Sequence, residues 1–157
     1  MRVQARGFTL IELIVVVAML GIAAVVAVPQ FLDIRVRTRV AVVEGMQTVV
    51  ISAAKLAYTG CIANPPCDSG AAGHSASVMG QMRVLDYGYP GAGEPGTGQI
   101  ESFVAYDTSK FTLAAPAHNI TQWQLNTAAT PSMCYVQYQQ AAGAGAEPVI
   151  GVVSSGC

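Results

Sequence analysis

Residues 6–31 read RGFTLIELIVVVAMLGIAAVVAVPQF, an arginine followed by an apolar wall that only Glu12 interrupts. The run from Phe8 to Leu32 can cross a bilayer core of about 30 Å, which takes about 20 helical residues. A carboxylate at the centre of a membrane helix costs roughly 2.5 to 3.5 kcal/mol, and less near an end, so Glu12 calls for a partner. Gly21 and Pro29 interrupt the run. A proline within a helix removes a hydrogen bond and bends the axis, so kinks are expected at these two positions.

Working outward, Arg2 and Arg6 precede the apolar run and stay cytoplasmic by the positive-inside tendency, which sends the rest of the chain across the membrane. A secretory signal peptide has an apolar region of only about 7 to 15 residues and a cleavage site on the far side, and this run is longer. With 52% hydrophobic and 11% charged residues among 157, the chain exceeds what a soluble surface needs, and the excess lies at the N-terminus. Net charge is −1, which excludes a global basic field for nucleic acid. Cys61, Cys67, Cys134 and Cys157 all follow the apolar segment, as expected of a part exported to an oxidising compartment.

The residues RGFTLIEL resemble the processing site of type IV prepilins and pseudopilins. That resemblance implies cleavage by a prepilin peptidase between Gly7 and Phe8, methylation of the new N-terminus at Phe8, and retention of the apolar helix. Glu12 then becomes the fifth mature residue, the position of the family's glutamate. Cleavage would also supply the missing partner, because an α-amine at Phe8 lies one helical turn from Glu12. The pair can neutralise within one chain or between an incoming subunit and its predecessor, and a subunit out of register would leave a charge unpaired. Glu12 is thus expected to select for correct assembly and to have no catalytic role.

The expected organisation is a leader over 1–7, a transmembrane and filament-core helix over 8–32, an amphipathic helical half over 33–60, and a disulfide-stapled β head over 61–157. Helical periodicity runs to about Tyr58, where YTGC supplies a glycine stop. Within the second half, Val36, Val40, Val43, Val50, Ala54 and Ala57 fall on 3 and 4 spacing, beside Val42, Met46, Val49, Ala53 and Leu56, so one broad face packs on something. Arg35, Arg39, Glu44, Ser52 and Lys55 remain for the other side, and the RVRTR cluster reads as a solvated face or subunit contact. Beyond Cys61, the segments SVMGQMRVL, ESFVAYD, KFTLAAP, TQWQLN, MCYVQYQ and EPVIGVV read as strands, the last two as a hairpin. About four strands laid on the amphipathic half give an α+β class, a long helix on a small antiparallel sheet, as in the type IV pilin fold.

Spacing alone allows three cysteine pairings. The expected one joins Cys61 with Cys67, across a proline reversal in CIANPPC, and Cys134 with Cys157, which would tie down the final hairpin. A disulfide-bounded C-terminal region is a feature of many type IV pilins. The ending CYVQYQQAAGAGAEPVIGVVSSGC further resembles the mannose-sensitive haemagglutinin subgroup, a hint of adhesion.

Other chemistry finds little support. GAGEPG at 91–96 satisfies G-x-G-x-x-G but lacks the strand before it and the helix after it that hold a pyrophosphate. His74 and His118 have neither metal-ligand spacing nor a nucleophile nearby, so no catalytic residue, metal or cofactor is expected. NIT at 119–121 is a weak glycosylation match, and Trp123 reads as core packing. The resemblance therefore implies a non-enzymatic subunit that polymerises with identical copies into a type IV pilus for adhesion and motility. It implies two further partners, prepilin peptidase and the inner-membrane assembly machinery, and residence in the inner membrane before the extracellular pilus. No specific nucleic acid is expected. A type II secretion pseudopilin or a minor pilin shares the N-terminal pattern, and an uncleaved membrane-anchored binding protein would need only the apolar helix.

Overall fold

The computed structural model describes residues 7–65, 67–78, 80–93 and 99–157, without the side chains of 28–33. Helix α1 spans Leu10–Ala63. The chain forms two compact units, Met1–Thr38 and Arg39–Cys157. The leader arginines Arg2 and Arg6 lie outside the described residues, as does the side chain of Pro29 on which the expected kink rests. Gly21 is helical.

The second unit contains the C-terminal length of α1 and two antiparallel sheets. Strands β1 (His74–Val78), β2 (Gln81–Asp86) and β3 (Tyr89–Pro90) form the first sheet in that order. Strands β4 (Phe111–Ala117), β5 (Ile120–Leu125), β6 (Tyr135–Gln139) and β7 (Val149–Val153) form the second, also in sequence order. The fold is α+β and type IV pilin-like, with one sheet more than the sequence reading expected. The final hairpin is present, with Tyr135 opposite Val153 and Gln139 opposite Val149.

Three local expectations are corrected. The helix runs through Gly60 and Cys61 to Ala63 instead of stopping near Tyr58. Gly60 is a close-approach residue, because a Cβ there would sit 3.1 Å from Val78 Cγ1. Closure comes from Asn64, whose side chain donates to the Gly60 carbonyl at 2.8 Å, ahead of a proline that cannot continue the helix. SVMGQMRVL is a hairpin and not one strand: Val78 pairs with Gln81, and the intervening Gly80 takes φ +76°, which suits glycine. ESFVAYD is no strand. It opens in a 3-10 turn at Ile100–Ser102 and is held by local bonds such as Phe103 N–H to the Ile100 carbonyl at 3.0 Å.

The core lies between α1 and the sheets. Val43, Met46, Val50, Ala53, Ala54 and Ala57 of the helix are buried, while Val36, Val42, Val49 and Leu56 are exposed. The broad face read from the sequence is thus narrower in the structure, because the sheets cover one side of the helix. Alternation places Val136 and Tyr138 of β6 inside with Trp123 and Leu125 of β5. Trp123 packs edge-on against Tyr106 at 6.4 Å between ring centroids. Pro116 is tolerated in β4 because that strand is an edge and shifts register between Ala114 and Ala117.

Candidate functional site

The N-terminal site is built on a helix start. Thr9 is the cap: its carbonyl accepts from Leu13 N–H at 3.2 Å, and its hydroxyl donates to Glu12 Oε2 at 3.4 Å. The spacing is that of a capping box, Thr-x-x-Glu, in which the carboxylate turns back toward the helix start. A carboxylate in the first turn is also favoured by the positive end of the helix dipole. Glu12 and Phe8 are both exposed, the latter at 75%. From Leu10 to Ala27 every side chain is exposed in the isolated chain, and this length is apolar enough to span a membrane. So large a bare apolar surface must meet lipid or protein. A Cβ on Gly21 would touch nothing within 4 Å in the isolated chain.

The second candidate region is the stapled C-terminus. Cys134 bonds to Cys157, both buried, and Cys61 bonds to Cys67 at the end of α1. Thr130 N–H donates to the Gly156 carbonyl at 2.9 Å and Gly156 N–H to the Met133 carbonyl at 2.8 Å. Gly156 is required there, since a Cβ would fall 2.5 Å from the Thr130 carbonyl oxygen. Arg39 donates from Nη1 to the Cys157 carbonyl at 2.8 Å. One member of the RVRTR cluster therefore anchors the C-terminal residues to α1, which charge clustering did not reveal.

The remaining residues singled out have structural roles or exposed positions. His118 lies exposed in the β4–β5 turn and His74 opens β1. Among the described residues no three of His, Cys, Asp and Glu group as metal ligands. In NIT, Asn119 is exposed but Thr121 is fully buried, its hydroxyl accepting from Gly93 N–H at 3.0 Å. Gly93 takes φ +147° and packs so near the His118 carbonyl that a Cβ would lie 2.8 Å from it. That glycine serves contact with the turn, while residues 94–96 of GAGEPG lie outside the described residues. Tyr138 joins the two sheets by donating to the Pro90 carbonyl at 2.6 Å, and burial pushes its phenol far above the ordinary range.

Fold and site define an α+β protein with a membrane-length helix and a stapled head. The family model for the prokaryotic N-terminal methylation motif matches residues 2–28. Over 65 residues, 41% of this chain, the sequence is 38% identical to the type IV narrow pilus major component PilA5 of Thermus thermophilus, of which it covers 56%. Over 35 residues it is 57% identical to a fimbrial protein of Pseudomonas aeruginosa, covering 22% of this chain and 23% of that one. The matched lengths thus span about half or less of these relatives. No solved structure matches. Over these lengths the chain is similar to a type IV pilus component and to a fimbrial protein, and its α+β fold is type IV pilin-like.

Proposed function

We propose that this chain is the major subunit of a type IV pilus. The observation that carries the reading is the bare apolar helix Leu10–Ala27, headed by the Thr9–Glu12 cap inside a matched methylation motif. Before assembly the helix rests in the inner membrane with the head outside. After assembly the same surface packs on identical neighbours, so extraction exchanges lipid contacts for protein contacts. A heterologous interface that does not close on itself yields an open filament.

In this reading prepilin peptidase cuts between Gly7 and Phe8, Phe8 is N-methylated, and its amine pairs with Glu12 of the same or the incoming subunit. The cap geometry favours this, because the Glu12 carboxylate already sits in the turn nearest the new terminus. The inner-membrane machinery supplies the energy. Adhesion is the expected use of the fibre, with the stapled head outward; the C-terminal resemblance to haemagglutinin pilins supports it.

Mass spectrometry of the N-terminal peptide from a sheared cell-surface fraction tests the proposal. The expected fragment begins at N-methylated Phe8. An intact leader on a chain found only in membranes would overturn both processing and assembly. Glu12→Ala is expected to be exported and folded yet to leave filaments at least tenfold depleted, and wild-type filament levels would remove Glu12 from assembly.

A further inference from the structure

A cleft of about 450 Å³ opens between the C-terminal length of α1 and the segment that leads into β7. The size lies within the range of about 300 to 1,000 Å³ for pockets that take small ligands. Lys55 and Thr59 belong to the helical wall, and Glu147 and Pro148 to the other. Tyr58 of α1 and Tyr89 of β3 also line it, with their rings stacked at 4.6 Å between centroids and 13° between planes. The frame is fixed from both sides. Gln47 Nε2 donates to the Ile150 carbonyl at 3.3 Å and ties the start of β7 to the helix. Ala146 N–H donates to the Gly143 carbonyl at 3.1 Å, and Gly145 between them takes φ +76°, so a turn leads into Glu147. The Tyr58 ring is wedged against Gly88, where a Cβ would lie 2.9 Å from it.

Folding accounts for the tyrosines, which pack on the core, but not for the charges beside them. Lys55 and Glu147 are both exposed and line one cleft, yet no ion pair joins them among the described residues. Each charge is therefore open to a ligand. Burial raises the Tyr89 phenol above its ordinary range and the Glu147 carboxylate adds to the rise, so the negative charge acts on the aromatic lining.

We infer that this cleft binds the phosphocholine group, a compact zwitterion with a trimethylammonium at one end and a phosphate at the other. The cationic end fits Glu147 and the tyrosine rings, because a methylated ammonium is drawn to aromatic faces and to a carboxylate. Ile51, Ala54 and Ile150 suit its methyl groups. Lys55 supplies a point charge for the phosphate. A neutral ligand would leave both charges to water, and an ion of one sign would be repelled by Glu147 or by Lys55. A primary ammonium is disfavoured, because its N–H groups lose strong hydration and the lining returns few acceptors. The same group can arrive free in solution or on a lipid. The site uses neither disulfide and does not depend on polymerisation.

The test uses the unassembled full chain in a maltoside detergent, which carries no choline, so its outcome is independent of filament formation. Isothermal titration is run with phosphocholine, glycerophosphocholine, phosphoethanolamine, choline and inorganic phosphate. Phosphocholine is expected to bind saturably, at least tenfold tighter than choline or phosphate and at least fivefold tighter than phosphoethanolamine. Glu147→Gln and Lys55→Gln, both at exposed positions, are each expected to weaken it at least fivefold with Tm unchanged. Glycerophosphocholine separates the sources. Binding as tight as that of phosphocholine assigns a lipid headgroup, weaker binding assigns the free monoester, and both support the site. The inference is overturned if phosphocholine does not bind, if phosphoethanolamine or phosphate binds as well, or if either variant binds like the parent. A cleft that only seats another copy of the chain takes none of these ligands, which overturns it too.

Discussion

Two lengths of α1 meet opposite fates. From Leu10 to Ala27 the helix is apolar all round and none of its side chains is covered by its own chain. From Val43 to Cys61 it buries one face, at Val43, Met46, Val50, Ala54 and Ala57, against the chain's own sheets. The second length is satisfied within the monomer, whereas the first is satisfied only by something outside it. The difference teaches that the helix draws on two sources of burial: the head folds on intrachain contacts, and the N-terminal length must find cover in lipid or in another protein surface.

Perturbations in the head should act on stability, and those in the bare helix on association. The largest loss is expected from Trp123→Ala, about 3 to 5 kcal/mol, because a fully buried indole leaves a cavity the head cannot refill. Denaturant unfolding of the full chain in detergent would show it, and an unchanged midpoint would mean that the core does not hold the head. Replacing both Cys134 and Cys157 by serine should cost about 3 kcal/mol, since the bond closes a sequence separation of 23. Thermal unfolding of that double variant checks the value.

A matched pair sharpens the contrast further. Val50→Ala should cost about 2 kcal/mol of head stability, two methyl groups of burial plus a cavity. Val16→Ala should leave the head's Tm unchanged and lower filament yield instead. Equal stability losses in the two variants would break the division between them.

The smallest effect is expected at Tyr138→Phe, about 1 to 2 kcal/mol, as the buried Pro90 carbonyl loses its donor. This tyrosine also sets a pH dependence. Its folded pKa is raised by burial above the ordinary value of about 10, so its neutral-state contribution is complete below pH 10 and is lost as pH rises beyond it. Alkaline unfolding should therefore flatten in Tyr138→Phe when Tm is followed from pH 8 to pH 11.

Much of this architecture was legible in local pattern. Alternating side chains marked β4 to β7, and the apolar run marked the membrane-length part of α1, because both signals depend on near neighbours in the chain. The failures share a cause. Gly60 resembles a stop in the sequence because its reason for being glycine, Val78, lies further along the chain, and Asn64 closes the helix instead. ESFVAYD showed strand-like apolar residues, yet its Val104 and Tyr106 contribute to the core from a loop. Gly80 divides what reads locally as a single strand, since one glycine permits the reversal.

At the N-terminal site, Thr9 and Glu12 stand in the sequence at capping-box spacing, and the structure joins them by a hydrogen bond. Arg39 looked like one of three surface arginines, until folding brought the Cys157 carbonyl within 2.8 Å of it. The sequence by itself determined the bare helix, the N-terminal methylation motif and most strands of the second sheet, because each is written in residues close together. Tertiary structure alone decided which helical valines are covered and which of three cysteine pairings forms. Those outcomes depend on what distant segments bring into contact, and no local periodicity records it.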